Sequence, residues 1–122
     1  MSSSANMTMI MAFHKLLTET IDIIANKFPL DKEIQYTKSQ IDMSTNMSPR
    51  YAVVSFMEEI RPYKQKIDNR DEDFFIRKSC TEITISSLNL SEKWNEFSSN
   101  DKERLWNNVK KLMKLGEKIL EF

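Results

Sequence analysis

Apolar residues recur along this chain mainly at three- and four-residue steps. Met9, Phe13, Leu16, Leu17, Ile21 and Ile24 fall on one face at helical spacing, which predicts an amphipathic helix from Met7 to Phe28. Pro29 disfavours helical backbone at Phe28 and predicts a stop there. Asp31 is placed to cap a second helix by accepting amide hydrogens near Glu33 and Ile34, and Ile34, Thr37, Lys38 and Ile41 then form a thinner stripe. Ser48-Pro49 predicts a third start, since serine can cap orphan amides and proline at the first helical position gives up an N–H that had no partner. Val53, Phe56, Met57 and Ile60 supply that helix's buried face; Pro62 should kink or end it after Arg61, with Tyr63 and Ile67 continuing the apolar line.

Beyond that kink the pattern is less regular. Asp71-Glu72-Asp73 before Phe74-Phe75-Ile76 reads as an acidic first turn of a short helix, with Arg77 and Lys78 suited to its far end. Ile83-Thr84-Ile85 alternates like a strand, but one short run has no partner and reads as a connection. Ser91 or Asn89 can cap a short helix carrying Trp94 and Phe97, and Ser98-Ser99-Asn100-Asp101 marks a new N-terminus. From there Leu105, Val109, Leu112, Gly116 and Ile119, flanked by Trp106, Met113 and Leu120, repeat as a wide apolar stripe with lysines on the other faces. Gly116 costs this helix about 1 kcal/mol against alanine unless close packing requires it.

Composition sharpens the fold class. One glycine and three prolines in 122 residues leave few of the residues that hairpin turns need, which favours helices joined by short polar links. A hydrophobic content of 40% is enough for one core at this length. The expectation is therefore an all-α, compact multi-helix bundle of about five to six helices, kinked near Pro62 and ending in a long amphipathic helix. Residues 1–6 are expected to be a disordered tail and residues 7–122 a single domain.

Charge and cysteine content narrow the function classes. Lysine plus arginine and aspartate plus glutamate both number 18, so no global field draws the chain to a polyanion, and any such contact must be local. The single cysteine, Cys80, cannot form an internal disulfide, which implies a reducing compartment. The opening residues lack the basic segment of a signal peptide, and no run of about 18 uncharged apolar residues suggests a membrane span. No export and no membrane association are expected.

A search for chemistry returns mostly ordinary explanations. Cys80 and His14 are the only thiol and imidazole and sit in no local signature, so His14 reads as an exposed or hydrogen-bonded histidine. Asp68-Asn69-Arg70-Asp71-Glu72-Asp73 invites a calcium loop but fails its spacing: Arg70 takes the third position, no glycine follows at the sixth, and Ser79 stands at the twelfth. A phosphate-cradling loop is ruled out by the single glycine, which lies in a helical pattern. Glu58 and Glu59, as helix neighbours, point in different directions. No catalytic residue, cofactor, metal site or small-molecule substrate is expected, and the chain reads as non-enzymatic.

Arg104, Lys110, Lys111, Lys114 and Lys118 are the candidate partner-binding residues, since they give the last helix a local positive excess. Trp106 could stack on a base, but it is in phase with Met113 and Leu120 and reads more simply as core. The eight methionines could offer an adaptable partner surface.

Several short motifs recur in a particular order: Phe28-Pro29-Leu30-Asp31, Ser48-Pro49-Arg50 with Val54 and Phe56, Ile60-Arg61-Pro62-Tyr63, Asp71-Glu72-Asp73-Phe74-Phe75, Leu105-Trp106, and Leu115-Gly116-Glu117-Lys118-Ile119. Over about residues 13–120 that series resembles a group of short helical proteins of uncharacterised function encoded by nucleocytoplasmic large DNA viruses of amoebae and algae. The resemblance implies a viral protein acting in host-cell cytoplasm or packaged in the virion, and carries over no catalytic residues. The resulting expectation is an interaction or structural protein that binds a protein partner or itself, as a virion component or assembly factor. The alternative is a nucleic-acid-associated accessory protein using the basic face of the last helix.

Overall fold

The computed structural model describes residues 3–71 and 93–121. Its α-helices are α1 (Ser3–Lys27), α2 (Lys32–Met47), α3 (Pro49–Ile60), α4 (Lys64–Asp68) and α5 (Ser99–Leu120), and no strand occurs among the described residues. Four of these are long and α4 is little more than one turn, so the described residues hold fewer full helices than the five to six expected. The helix expected after Asp71-Glu72-Asp73, the Ile83-Thr84-Ile85 connection and the caps at Asn89 and Ser91 lie outside the described residues.

Helix α1 begins at Ser3, inside the segment expected to be a disordered tail. Its first turns are held by long-range contact: Asn6 Nδ2 donates to the Ile119 carbonyl at 3.4 Å, and Arg50 donates to Asn6 Oδ1 at 3.4 Å. Sequence periodicity cannot see such anchors, because the partners lie 113 and 44 positions away. Of the predicted face, Phe13, Leu17, Ile21 and Ile24 are buried and Met9 and Leu16 are partly buried against the core, while Ile10, outside that set, is buried as well. The amide of Phe28 still bonds to Ile24, and Pro29 then turns the chain.

Asp31 caps α2 as expected, its Oδ1 accepting from the amides of Glu33 at 3.0 Å and Ile34 at 3.2 Å. Ser48 behaves differently from expectation. It sits at the N-cap of α3 with extended backbone, but its hydroxyl makes no capping bond. Its carbonyl instead accepts from the Tyr51 amide at 3.0 Å, and Pro49 removes one donor that a cap would have satisfied. At Pro62 the α-helix ends after Ile60, gives way to a 3-10 turn at Arg61–Tyr63, and resumes as α4 with Ile67 buried. A left-handed residue, Arg70 (φ 52°), follows the end of α4, and the amide of Asp71 bonds back to the Lys66 carbonyl at 2.8 Å.

Trp94–Glu96 form a 3-10 turn, and the residues at which the short helix carrying Trp94 and Phe97 is expected to begin lie outside the described residues. Ser98 then caps α5, its hydroxyl accepting from the Asp101 amide at 3.1 Å. Helix α5 runs antiparallel to α1, since Asn6 meets Ile119 at one end while Asn26 and Lys27 face Asp101 and Arg104 at the other. It buries Leu105, Trp106, Val109, Leu112, Met113, Gly116 and Ile119. The core is one cluster knit by edge-to-face aromatic pairs, Phe13 with Phe56 at 5.4 Å and Trp94 with Trp106 at 5.9 Å between centroids. At Gly116 the approach of α3 is close: a Cβ there would lie 2.3 Å from Met57 Sδ.

Candidate partner-binding surface on the last helix

Because α5 turns every 3.6 residues, its apolar arc fixes where the rest of its side chains go. Arg104, Lys111 and Lys118 follow one another at seven-residue steps, Lys114 falls beside them, and all four are exposed on the side away from the core. Lys110 does not share that placement. It is half-buried on a flank, where its field helps lower the pKa of Glu103. The structure thus brings together four of the five residues that the sequence singled out and separates the fifth.

Glu103 and Glu117 of α5 are paired with residues of other elements. Glu103 accepts from Arg70, whose hydrogen bond holds that carboxyl below its ordinary range, with the fields of Arg70 and then Lys110 acting in the same direction. Glu117 accepts from Lys64 at 2.9 Å, and that hydrogen bond raises the lysine's pKa. Asp101, in the first turn, lies 3.7 Å from Arg104. Among the described residues, no carboxylate lies within 4.0 Å of Lys111, Lys114 or Lys118. Each such exposed pair contributes little to stability. Their larger consequence is to leave three lysines as the uncompensated charge of this face.

Arg70 has a second role. It also donates to Asn107 Oδ1 at 3.3 Å. A guanidinium can only donate, so this contact fixes the amide orientation and leaves the Asn107 NH2 group to act as a donor. Neither Arg70 nor Lys64 was signalled by sequence pattern, because their partners on α5 lie 33 and 53 positions away. Trp106 is buried against Trp94, which removes it as a platform for a base.

The clefts are open, and the one between α1 and α5 is mainly polar. One of about 590 Å³ lies between α1 and α5 and is lined by Glu19, Asp22, Asn26, Lys27, Asp101 and Arg104. Asp22 is bonded there to Lys38 at 2.7 Å, which raises the lysine's pKa. A second cleft between α1 and α2 is lined by His14, Thr18, Glu19, Asp42 and Asn46. His14 is nearly buried, with Nε2 2.5 Å from the Pro49 carbonyl, so the ring joins α1 to the start of α3. Among the described residues no group of three or more histidine, cysteine, aspartate or glutamate side chains could hold a metal ion. None of the described helices is long and apolar enough to cross a membrane.

Comparison of the chain with family models, with curated proteins and with solved structures finds no match.

Proposed function

We propose that this chain is a non-enzymatic interaction protein whose helical surface binds a protein partner or a second copy of itself. The observation that carries this reading is the outer face of α2, where Tyr36 and Met43 stand seven residues apart, 66% and 55% exposed, on a helix whose opposite face is buried through Ile34 and Thr37. Tyrosine and methionine are residue types that interface cores favour, and two turns of one helix place these two in line. A role as a virion component or assembly factor in the host cell belongs to this proposal and is motivated by the motif resemblance alone.

Light scattering over a concentration range, with crosslinking and partner recovery from host lysate, tests it on the wild type and on Tyr36→Ser/Met43→Ser. The reading expects an assembly or a recovered partner that the double variant loses. A monomer at every concentration, with no partner dependent on Tyr36 and Met43, would overturn it.

A second reading, as a nucleic-acid-associated accessory protein, is favoured by the lysine face of α5, where Glu103 and Glu117 of the helix are paired from other elements. Its test is whether the chain binds nucleic acid at low salt at all.

A further inference from the structure

We infer that the polar face of α5 docks on the phosphate backbone of duplex nucleic acid, without reading bases, through Lys111, Lys114 and Lys118. The inference rests on the second reading above and deepens it by naming the form of nucleic acid and the atoms that meet it. Helix rise places Lys111 and Lys118 about 10 Å apart along the axis and carries the line to Arg104 over about 21 Å. A duplex presents one charge per roughly 1.7 Å of its axis, so a straight row of ammonium groups meets several phosphates at once. Asn107 lies on the same face with its NH2 group left to donate, and asparagine amides are ordinary donors to phosphate oxygens.

The same face argues against other polyanions. Single-strand binders stack bases on exposed aromatic rings, and the aromatic of α5, Trp106, is 4% exposed and packed on Trp94. A helix lying on an anionic membrane would turn its apolar side to lipid, whereas that side of α5 is buried in the core. An acidic protein segment would need an apolar anchor to gain affinity beyond charge, and the apolar residue beside these lysines, Leu115, is partly buried and packed against the core. Arg104 shares its charge with Asp101 and serves as the end of the row.

The test is fluorescence anisotropy of the full chain with a labelled duplex, with one of its single strands, and with polyglutamate, each across a salt series. Three contacts predict a slope of log affinity on log salt of about −3 for the duplex. Replacement of Lys111, Lys114 and Lys118 together by glutamine should weaken duplex binding by at least about tenfold at low salt and flatten the slope, while Lys32→Gln should change neither. Circular dichroism of the triple variant checks that it folds. Single strands bound much more tightly than duplex would overturn the duplex assignment and leave the nucleic-acid reading standing. Polyglutamate bound as tightly as duplex, or duplex binding indifferent to the triple replacement, would overturn this surface assignment. No binding of either nucleic acid at low salt would end both.

Discussion

Lys93 Nζ lies 3.0 Å from Asp31 Oδ2, while the other oxygen of the same carboxylate caps α2. One side chain thus fixes the entry angle of α2 and holds down the segment that leads through Trp94 into α5. The lysine is buried, with its ammonium 5.6 Å from the centre of the Phe28 ring, and Phe28 in turn meets Phe97 edge-on at 5.6 Å. Asparagine can replace the cap but not the charge, and alanine replaces neither. Asp31→Ala should therefore lower the urea midpoint more than Asp31→Asn, and equal midpoints for the two variants would contradict the double role.

The pH dependence of that pair has a definite sign. The hydrogen bond from Lys93, and after it that from the Ile34 amide, hold the Asp31 carboxyl below its ordinary value of 3.8. A carboxyl more acidic in the folded chain than in the unfolded one stabilises the fold fully above the unfolded value. As pH falls, the unfolded chain takes up the proton first, so the contribution shrinks below 3.8 and is gone under the lowered folded value. The midpoint gap between wild type and Asp31→Asn should be constant from about pH 5 to neutrality and should narrow in acid. A gap that widened in acid would reverse the assignment.

His14 is another cross-element polar anchor, its Nε2 facing the Pro49 carbonyl. The carbonyl can only accept, so Nε2 carries the hydrogen. Long-range nitrogen–proton correlation spectra of the folded protein at alkaline pH should show the Nε2–H tautomer. His14→Leu leaves the Pro49 carbonyl without this donor and should cost about 1 kcal/mol. The opposite tautomer, or a loss-free leucine variant, would refute the bond.

These anchors mark where sequence legibility ended. Helix faces were readable because burial of Phe13, Val53, Leu105 and Leu112 follows directly from their spacing. The Asp31 and Ser98 caps were readable for the same local reason, since each serves amides within three residues. Ser48 misled because the residue type fits a cap while the hydroxyl makes no such bond. The start of α1 at Ser3 and the clearing of the α5 face by Arg70 and Lys64 depend on partners far along the chain, which periodicity does not encode. The lysines were visible as a set, but their division into an exposed row and a flanking Lys110 required the orientation of the helix in the bundle.

Trp94 and Trp106 give the bundle a direct optical signature. Both are buried, at 0% and 4% exposure, so native fluorescence should be blue-shifted and poorly quenched by acrylamide, with a red shift on unfolding. Trp94→Phe should keep most of the aromatic volume while losing part of the edge contact to Trp106, for a cost of about 1 kcal/mol. Native emission already at the wavelength of free tryptophan would show that the packing of α5 is wrong.

Gly116 tests the closeness of α3 and α5. Alanine would gain about 1 kcal/mol in a helix interior from reduced backbone freedom in the unfolded chain. Against that, the new Cβ would lie 2.3 Å from Sδ and 2.7 Å from Cγ of Met57. Cγ is near the root of that side chain and Met57 is only 1% exposed, so relief requires a new rotamer in a filled core. Overpacking of this kind costs about 1–3 kcal/mol, which exceeds the propensity gain, so Gly116→Ala should destabilise the chain. In a Met57→Ala background the obstruction is gone, and the same substitution should become stabilising by about 1 kcal/mol. Urea denaturation of the four members of this double-mutant cycle measures the coupling directly. A Gly116→Ala effect with the same sign and size in both backgrounds would mean that Met57 does not occupy the groove over Gly116.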